Sequence, residues 1–248
     1  MIRNETLWTL AKERPESAPF THMVIDDFFE KEVADAICEE FPDYDSPGIY
    51  KYENPIEIKR AMNSWDKFPA ATYKAFTILC SERFAKLVSH PFNAVLYPDY
   101  GLHGGGCHMH GRGGKLNVHQ DYSIHPKMPL QRKMNIIIYM SRDWDPTWGG
   151  GLELWSHNFE TNKPKECVRR VDVKFNRAVL FDTTQNSWHG LPEPINCPEN
   201  MYRKSLAMYY LQEPAIAAPK HKKAWYAPYK DQENDQKIID LIERRKGV

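Results

Sequence analysis

The sequence lacks an excess of charge of either sign: its 248 residues carry 33 Lys+Arg and 33 Asp+Glu. Without a basic surplus there is no global field to draw the chain to nucleic acid or to an anionic membrane, so a small or local partner is expected. Long apolar runs are missing too. No stretch approaches the ~18 uninterrupted apolar residues of a membrane span, and the opening MIRNETLWTLAKERPES holds no apolar run of a secretory leader. Cysteine is scarce and unmatched. Cys38, Cys80, Cys107, Cys167 and Cys197 are an odd number, widely spaced and without a C-x-x-C pair. That argues against a disulfide framework and a Cys-rich zinc site, and points to a reducing compartment, the cytoplasm. Two site signatures are absent as well. There is no H-E-x-x-H, and GRGGKL fails as a phosphate loop because Met109 stands where its first Gly belongs and Leu116 replaces the hydroxyl residue.

What is present suits one domain over residues 1–248: helical support over about 1–91, a strand-rich core over about 92–212, and an extension over 213–248. THMVIDDFF reads as a short strand. EKEVADAICEEF follows as a one-faced helix, with Val33, Ile37 and Phe41 in line and Ala34 and Cys38 beside them. After a polar, Pro-containing stretch from Pro42 to Pro69, AATYKAFTILCSERFAKLVSH places Tyr73, Phe76, Cys80, Phe84 and Leu87 on one stripe and predicts a second, longer helix. Cys38 and Cys80 are small core residues in these helices. From Phe92 the pattern changes to short runs rich in Val, Ile, Tyr and Phe: NAVLYP, KLNVH, KMNIIIYM, LELWS, VRRVDVKF, RAVLFDT and YRKSLAMYYL. Helices followed by many short strands define an α+β class with a mostly antiparallel sandwich or barrel core. QKIIDLIERR, with Ile238, Ile239, Leu241 and Ile242, predicts a terminal helix. The basic runs PKHKKAW and ERRKGV flank the acidic DQENDQ and read as a solvated face.

Chemistry concentrates in HGGGCHMHGRGGKLNVHQDYSIH, which holds His103, His108, His110, His119 and His125, half of the chain's ten histidines. Residues two apart on a strand share a face. His108 and His110 therefore form an H-x-H pair of the kind found in cupin metal sites. His119 and Asp121 form the only H-x-D pair in the chain, and a third ligand from elsewhere would complete a facial triad with open positions for a co-substrate and O2. His189, in NSWHGLPEP, lies 70 residues downstream, and Arg203, in YRKSLAMYY, follows 14 residues later. Arg203 shares a strand face with Ser205, Ala207 and Tyr209 and could clamp a carboxylate bidentately. His103 and His125 fall in loops, Trp188 is expected to fix its strand by packing, and Gly149–Gly151 to make a tight turn.

GRGGKLNVHQD, MNIIIYMSRDW, GGGLELW, VKFNRAVLFDTTQNSWHG and CPENMYRKSLAMYYL, in this order across Phe92–Gln212, resemble the prolyl-hydroxylase-like group of Fe(II)/2-oxoglutarate-dependent dioxygenases. The resemblance implies a double-stranded β-helix (jelly-roll, cupin-like) core with the helices outside it. It implies His119, Asp121 and His189 as ligands of Fe(II), with 2-oxoglutarate bound through its keto and C1 carboxylate oxygens and O2 in the remaining position. Arg203 would pair with the distal carboxylate of 2-oxoglutarate, helped by Tyr139 and Ser205. Many relatives carry a Tyr on the strand before H-x-D to help hold 2-oxoglutarate; here His108, Met109 and His110 occupy that place, which leaves open how the C1 end is held, and His108 and His110 are candidates to line the pocket or hydrogen-bond the co-substrate. Related halogenases lack the carboxylate of the triad, so Asp121 implies hydroxylation. Tyr52, Arg60, Trp65, Tyr122 and His125 are the residues expected to meet substrate. Their mix of charge and aromaticity suits a small polar metabolite such as an amino acid, sugar or natural-product intermediate, and equally a prolyl peptide. Two other classes stay open: a cupin-type oxygenase built on His108-Met109-His110 that needs no 2-oxoglutarate, and a non-catalytic β-sandwich binding module.

Overall fold

The computed structural model describes residues 1–216, 218, 221 and 223–246. Its helices are α1 (Asn4–Lys12), α2 (Lys31–Glu39), α3 (Ala70–Leu79), α4 (Glu82–Ser89) and α5 (Gln236–Lys246). The strands are β1 (His22–Ile25), β2 (Tyr50–Asn54), β3 (Glu57–Met62), β4 (Tyr97–Pro98), β5 (Gly106–His110), β6 (Lys115–Gln120) and β7 (Gln131–Tyr139). They continue with β8 (Leu152–Asn158), β9 (Lys163–Val171), β10 (Ala178–Asp182), β11 (Trp188–Leu191), β12 (Arg203–Gln212) and β13 (Trp225–Tyr226).

Antiparallel pairing runs in the order β1-β10-β7-β12-β5-β3-β6-β11-β8-β9, with β2 on β3, β4 on β12 and β13 on β6. This is a double-stranded β-helix, a nearly closed jelly-roll barrel. Alternation decides what each strand presents. On β7, Met134, Ile136 and Ile138 turn outward into the main hydrophobic core with Phe28, Phe76 and Phe84, while Asn135 and Ile137 face the barrel interior. On β12, Leu206, Met208 and Tyr210 go to the same core, and the Tyr210 hydroxyl donates to Leu79 O at 2.7 Å. Arg203, Ser205, Ala207 and Tyr209 are left facing inward. The helices thus cover one sheet, and the inward face carries both a second apolar cluster around Tyr139, Leu154 and Phe181 and the polar side chains of the cavity.

Three local outcomes differ from the sequence reading. The long helix after residue 69 is two helices, because the Ser81 side chain accepts from Phe84 N at 3.2 Å and caps α4. Tyr73, expected on the buried stripe, is exposed. The polar stretch 42–69 folds into the hairpin β2–β3, and β3 inserts between β5 and β6. Helix α1 was not legible in its short and weakly patterned segment. In the basic run PKHKKAW, Pro219, Lys220 and Lys222 lie outside the described residues, while Trp225 belongs to β13. Among the described residues, no helix is long and apolar enough to cross a membrane.

Candidate active site

His119 closes β6 and pairs directly with His189 on β11, so their rings lie 4.4 Å apart at the centroids. Asp121 follows on the same side. Its Oδ1 lies 3.8 Å from His119 Nε2 and its Oδ2 3.6 Å from His189 Nε2. One ligand atom from each of the three falls within 4.8 Å of the others, and among the described residues no other His/Cys/Asp/Glu group converges in this way. Both imidazoles are oriented by the chain itself. His119 Nδ1 bonds Asn117 O at 2.9 Å, and His189 Nδ1 bonds Ser187 O at 2.8 Å. A ring nitrogen can meet a carbonyl only by donating, so each Nδ1 carries the proton and each Nε2 presents a bare lone pair.

All three side chains are buried. Asp121 Oδ1 accepts from the Tyr209 hydroxyl at 2.8 Å, whereas Oδ2 has no hydrogen-bond donor among the described residues. Burial, with the charge of His189 second, pushes His119 down to about 4, which keeps it neutral. Burial pushes Asp121 the other way, but the charges of His189, Arg132 and His119 and the Tyr209 hydrogen bond together hold it below the usual carboxylate range. A buried carboxylate oxygen without a donor and two lone pairs directed at it form a donor set that fits a divalent cation and that protein hydrogen bonds leave unsatisfied.

These residues line a cavity of about 160 Å³. Arg203 forms part of its wall, buried, with Nε donating to Gly150 O at 2.7 Å and the guanidinium carbon 4.8 Å from the centre of the Tyr139 ring. Ser205 pairs with His108 on one side and Tyr139 on the other, and Arg203 pairs with His110. Five residues expected to hold co-substrate therefore sit on three adjacent strands. Tyr139 lies beneath Arg203 and not in the cavity wall, fully buried, with its hydroxyl unpartnered among the described residues. Burial pushes His108 down to about 3 and His110 well below the ordinary imidazole range, so both rings are neutral. Neither ring nitrogen of His110 has a partner among the described residues.

The Gly149–Gly151 turn stands behind Arg203, outside the cavity lining. Gly150 has φ +79°, and a Cβ placed there would stand 3.0 Å from Ile195 Cδ1 and 3.1 Å from Arg203 Cδ. Gly150→Ala is expected to lower stability by about 1–3 kcal/mol through backbone strain. By displacing Arg203 it should also raise the KM for 2-oxoglutarate several-fold, which steady-state kinetics beside a thermal melt will show.

The residues expected to meet substrate are placed unevenly. Tyr122 lines the cavity. Arg60 does not, because it pairs with Met109 on the outward face of β3, bonded to Glu53 and 4.8 Å from the centre of the Tyr44 ring. A shift of one residue in a strand reverses its face, and Lys59 is the residue that lines the cavity. Trp65 also lies outside it, donating to Tyr100 O at 2.9 Å and packed on Phe68, Tyr73 and Phe76. His125 is buried beneath its loop, 3.5 Å from Asp99 Oδ2. Tyr52 sits beside the cavity, with Lys59 Nζ 5.0 Å from its ring centre. Trp188 packs its strand as expected and donates to His157 Nδ1 at 2.9 Å. His108 and His110 both line the cavity, but no carboxylate joins them in a ligand cluster.

Sequence patterns did not single out Arg132, Asn135 or Tyr226. Arg132 is stacked between the rings of Tyr122 and Tyr209, 3.3 and 3.4 Å from their centres, and lies 3.6 Å from Asp121 Oδ1. Tyr226 of β13 pairs with His119 and stacks on its ring at 5.1 Å. Tyr209 could have been found, since it continues the inward series Arg203, Ser205, Ala207 on β12.

Residues 105–211 match the model of the 2OG-Fe(II) oxygenase superfamily. The fold is similar to that of a prolyl hydroxylase from Trichoplax adhaerens solved with a hypoxia inducible factor peptide (TM-score 0.57, 15% identity, 87% of this chain and 92% of that one). It is also similar to a prolyl-4-hydroxylase from Pseudomonas putida (0.56, 14%, 85% and 98%). A third likeness is to HygX from Streptomyces hygroscopicus with nickel, 2-oxoglutarate and hygromycin B bound (0.50, 12%, 85% and 88%). At such identities the likeness is one of fold. Over residues 105–211 the sequence, too, is similar to Fe(II)- and 2-oxoglutarate-dependent oxygenases. His119, Asp121 and His189 form a group that could hold the metal such oxygenases use.

Proposed function

We propose that His119, Asp121 and His189 hold Fe(II), that Arg203 holds the distal carboxylate of 2-oxoglutarate, and that the product is a small polar molecule hydroxylated at an unactivated C–H. The observation that carries the reading is the convergence of two bare Nε2 lone pairs and an undonated Asp121 oxygen in one buried cavity. When bound, iron and 2-oxoglutarate supply the oxidising chemistry: O2 is consumed, 2-oxoglutarate leaves as succinate and CO2, and one oxygen atom enters the substrate. The chain's own part is positioning. Tyr209 and Arg132 hold Asp121 in one rotamer, and the carbonyls of Asn117 and Ser187 hold the two imidazoles. Tyr139 and Ser205 stand beside Arg203 to meet the distal carboxylate, and neutral His108 and His110 supply further hydrogen bonds.

The small-molecule reading is supported by the coverage of the site. β13 crosses β6 beside the triad, Tyr226 lies on His119, and the cavity is well below the ~300 Å³ of an ordinary drug-sized pocket. The fold likeness to a prolyl hydroxylase solved with a peptide supports a second reading, hydroxylation of a prolyl residue. The helices before residue 92, the barrel and the C-terminal extension serve the site as one domain, and five free thiols suit a cytoplasmic protein. A succinate-release screen over free amino acids, peptides and glycosides, followed by mass spectrometry, tests both. A gain of one oxygen on a small molecule, with one succinate per product, supports the first reading. The same gain on a prolyl peptide alone replaces it with the second. Product without succinate overturns both.

A further inference from the structure

Three cations line the cavity: Arg203, Arg132 and Lys59. Arg132 is engaged by the protein itself, between two tyrosine rings and beside Asp121. Lys59 has no part in the chemistry so far. It is carried by β3, the strand inserted between β5 and β6, where Arg60 pairs with Met109 and Ala61 with His108. Alternation turns Lys59 inward on the side of β5 opposite to β12 and Arg203.

Its surroundings leave it a usable charge. Lys59 Nζ lies 2.9 Å from Glu57 Oε1, and Glu57 Oε2 lies 3.2 Å from Arg245 Nη1 of α5. The side chains of Lys59 and Glu57 are 14% and 5% exposed. One carboxylate between two cations leaves a net positive charge, and an ammonium has three donors of which Glu57 takes one. Burial pushes Glu57 upward, but Lys59 and Arg245 outweigh it and hold it ionised. The trio therefore aims a fixed cation at the cavity, and a buried cation in excess of its partners is a place for an anion.

The neighbours of Lys59 indicate which anion. Arg245, which shares Glu57 with Lys59, lies 5.5 Å from the centre of the Tyr226 ring, and Tyr226 stacks on His119. The ammonium is thus tied to the side of the cavity that Tyr226 and His119 line, whereas Arg203 enters it from β12. 2-Oxoglutarate carries a carboxylate at each end, and a cavity of about 160 Å³ brings both ends against the wall.

We propose that Lys59, aimed by Glu57 and Arg245, holds the metal-side carboxylate of 2-oxoglutarate from the β3 wall, while Arg203 holds the distal one from β12. This rests on the oxygenase reading above. It assigns the role that the missing tyrosine before H-x-D leaves open, and it makes the hairpin β2–β3 part of the co-substrate site.

The test is calorimetric binding to the full chain loaded with Ni(II), which binds without turnover. The probes are 2-oxoglutarate and 2-oxopentanoate, which lacks the distal carboxylate. Lys59→Met is expected to weaken both ligands about tenfold, whereas Arg203→Met weakens 2-oxoglutarate and leaves 2-oxopentanoate unchanged within about twofold. Lys59→Gln, which keeps a hydrogen bond to Glu57, should behave like Lys59→Met and serves if the latter melts early. Weakening of 2-oxoglutarate alone by Lys59→Met or Lys59→Gln would put Lys59 on the distal carboxylate and overturn the proposal, as would no weakening of either ligand. Wild-type protein that binds Ni(II) but neither ligand would instead overturn the oxygenase reading, a result distinct from a failure of Lys59.

Discussion

Asp121→Ala is expected to abolish succinate formation and to lower metal affinity by more than about a hundredfold, since loss of outer partners alone costs about 10–100-fold at such sites. Asp121 is the only anion among the three convergent side chains, and its Oδ2 is the oxygen that no donor satisfies. Without it two neutral imidazoles face a divalent ion alone. The change also removes the acceptor of the Tyr209 hydroxyl and the counter-charge of Arg132, whose guanidinium is 3.6 Å from Oδ1. An unpaired buried charge destabilises by about 3–5 kcal/mol, so binding must be measured below the melting transition seen by circular dichroism. Calorimetry with Ni(II) and succinate release with Fe(II) give the two readouts. A folded variant that keeps full activity would sink the assignment of Asp121.

Arg203→Met should raise the KM for 2-oxoglutarate about a hundredfold with a smaller change in kcat. A charge-assisted, bidentate pair contributes about 3 kcal/mol, which is roughly two decades of affinity. Arg203 is buried, its Nε is tied to Gly150 O, and its guanidinium is set over the Tyr139 ring. Arg203→Lys should recover little, because a point charge on a flexible stem can neither bond Gly150 at the same place nor present a planar fork. A KM within about twofold of wild type for both variants would move the distal carboxylate elsewhere in the cavity.

The site was legible wherever it depends on alternation along one strand. His119 with Asp121, and Arg203 with Ser205 and Tyr209, are consequences of a period of two, and the ordered spacing from H-x-D to His189 to Arg203 carried the resemblance to a family. Where alternation had no anchor, the reading slipped. Arg60 was expected at the site in place of Lys59 because nothing in PIEIKRAM says which of two neighbouring cations points inward. The inserted position of β3 between β5 and β6 decides it. Trp65, in the polar stretch, and His125, in the loop after Asp121, were expected to meet substrate, but the Trp65 ring is held among aromatic side chains and His125 lies against Asp99.

The sequence by itself determined the succession of helices and short strands, the two neighbouring donors His119 and Asp121 at one strand end, and the shared face of Arg203, Ser205 and Tyr209 on β12. These are local properties, set by a two-residue period and by the residue types that can hold a cation or a carboxylate. Only the tertiary structure decided that β11 lies against β6 so that His189 meets His119, that Arg132 and Tyr209 fix Asp121, and that Tyr226 and Lys59 close the cavity from β13 and β3. Each of these depends on which strands become neighbours, and pairing between distant segments is settled by the burial of whole sheet faces and not by any short stretch of residues.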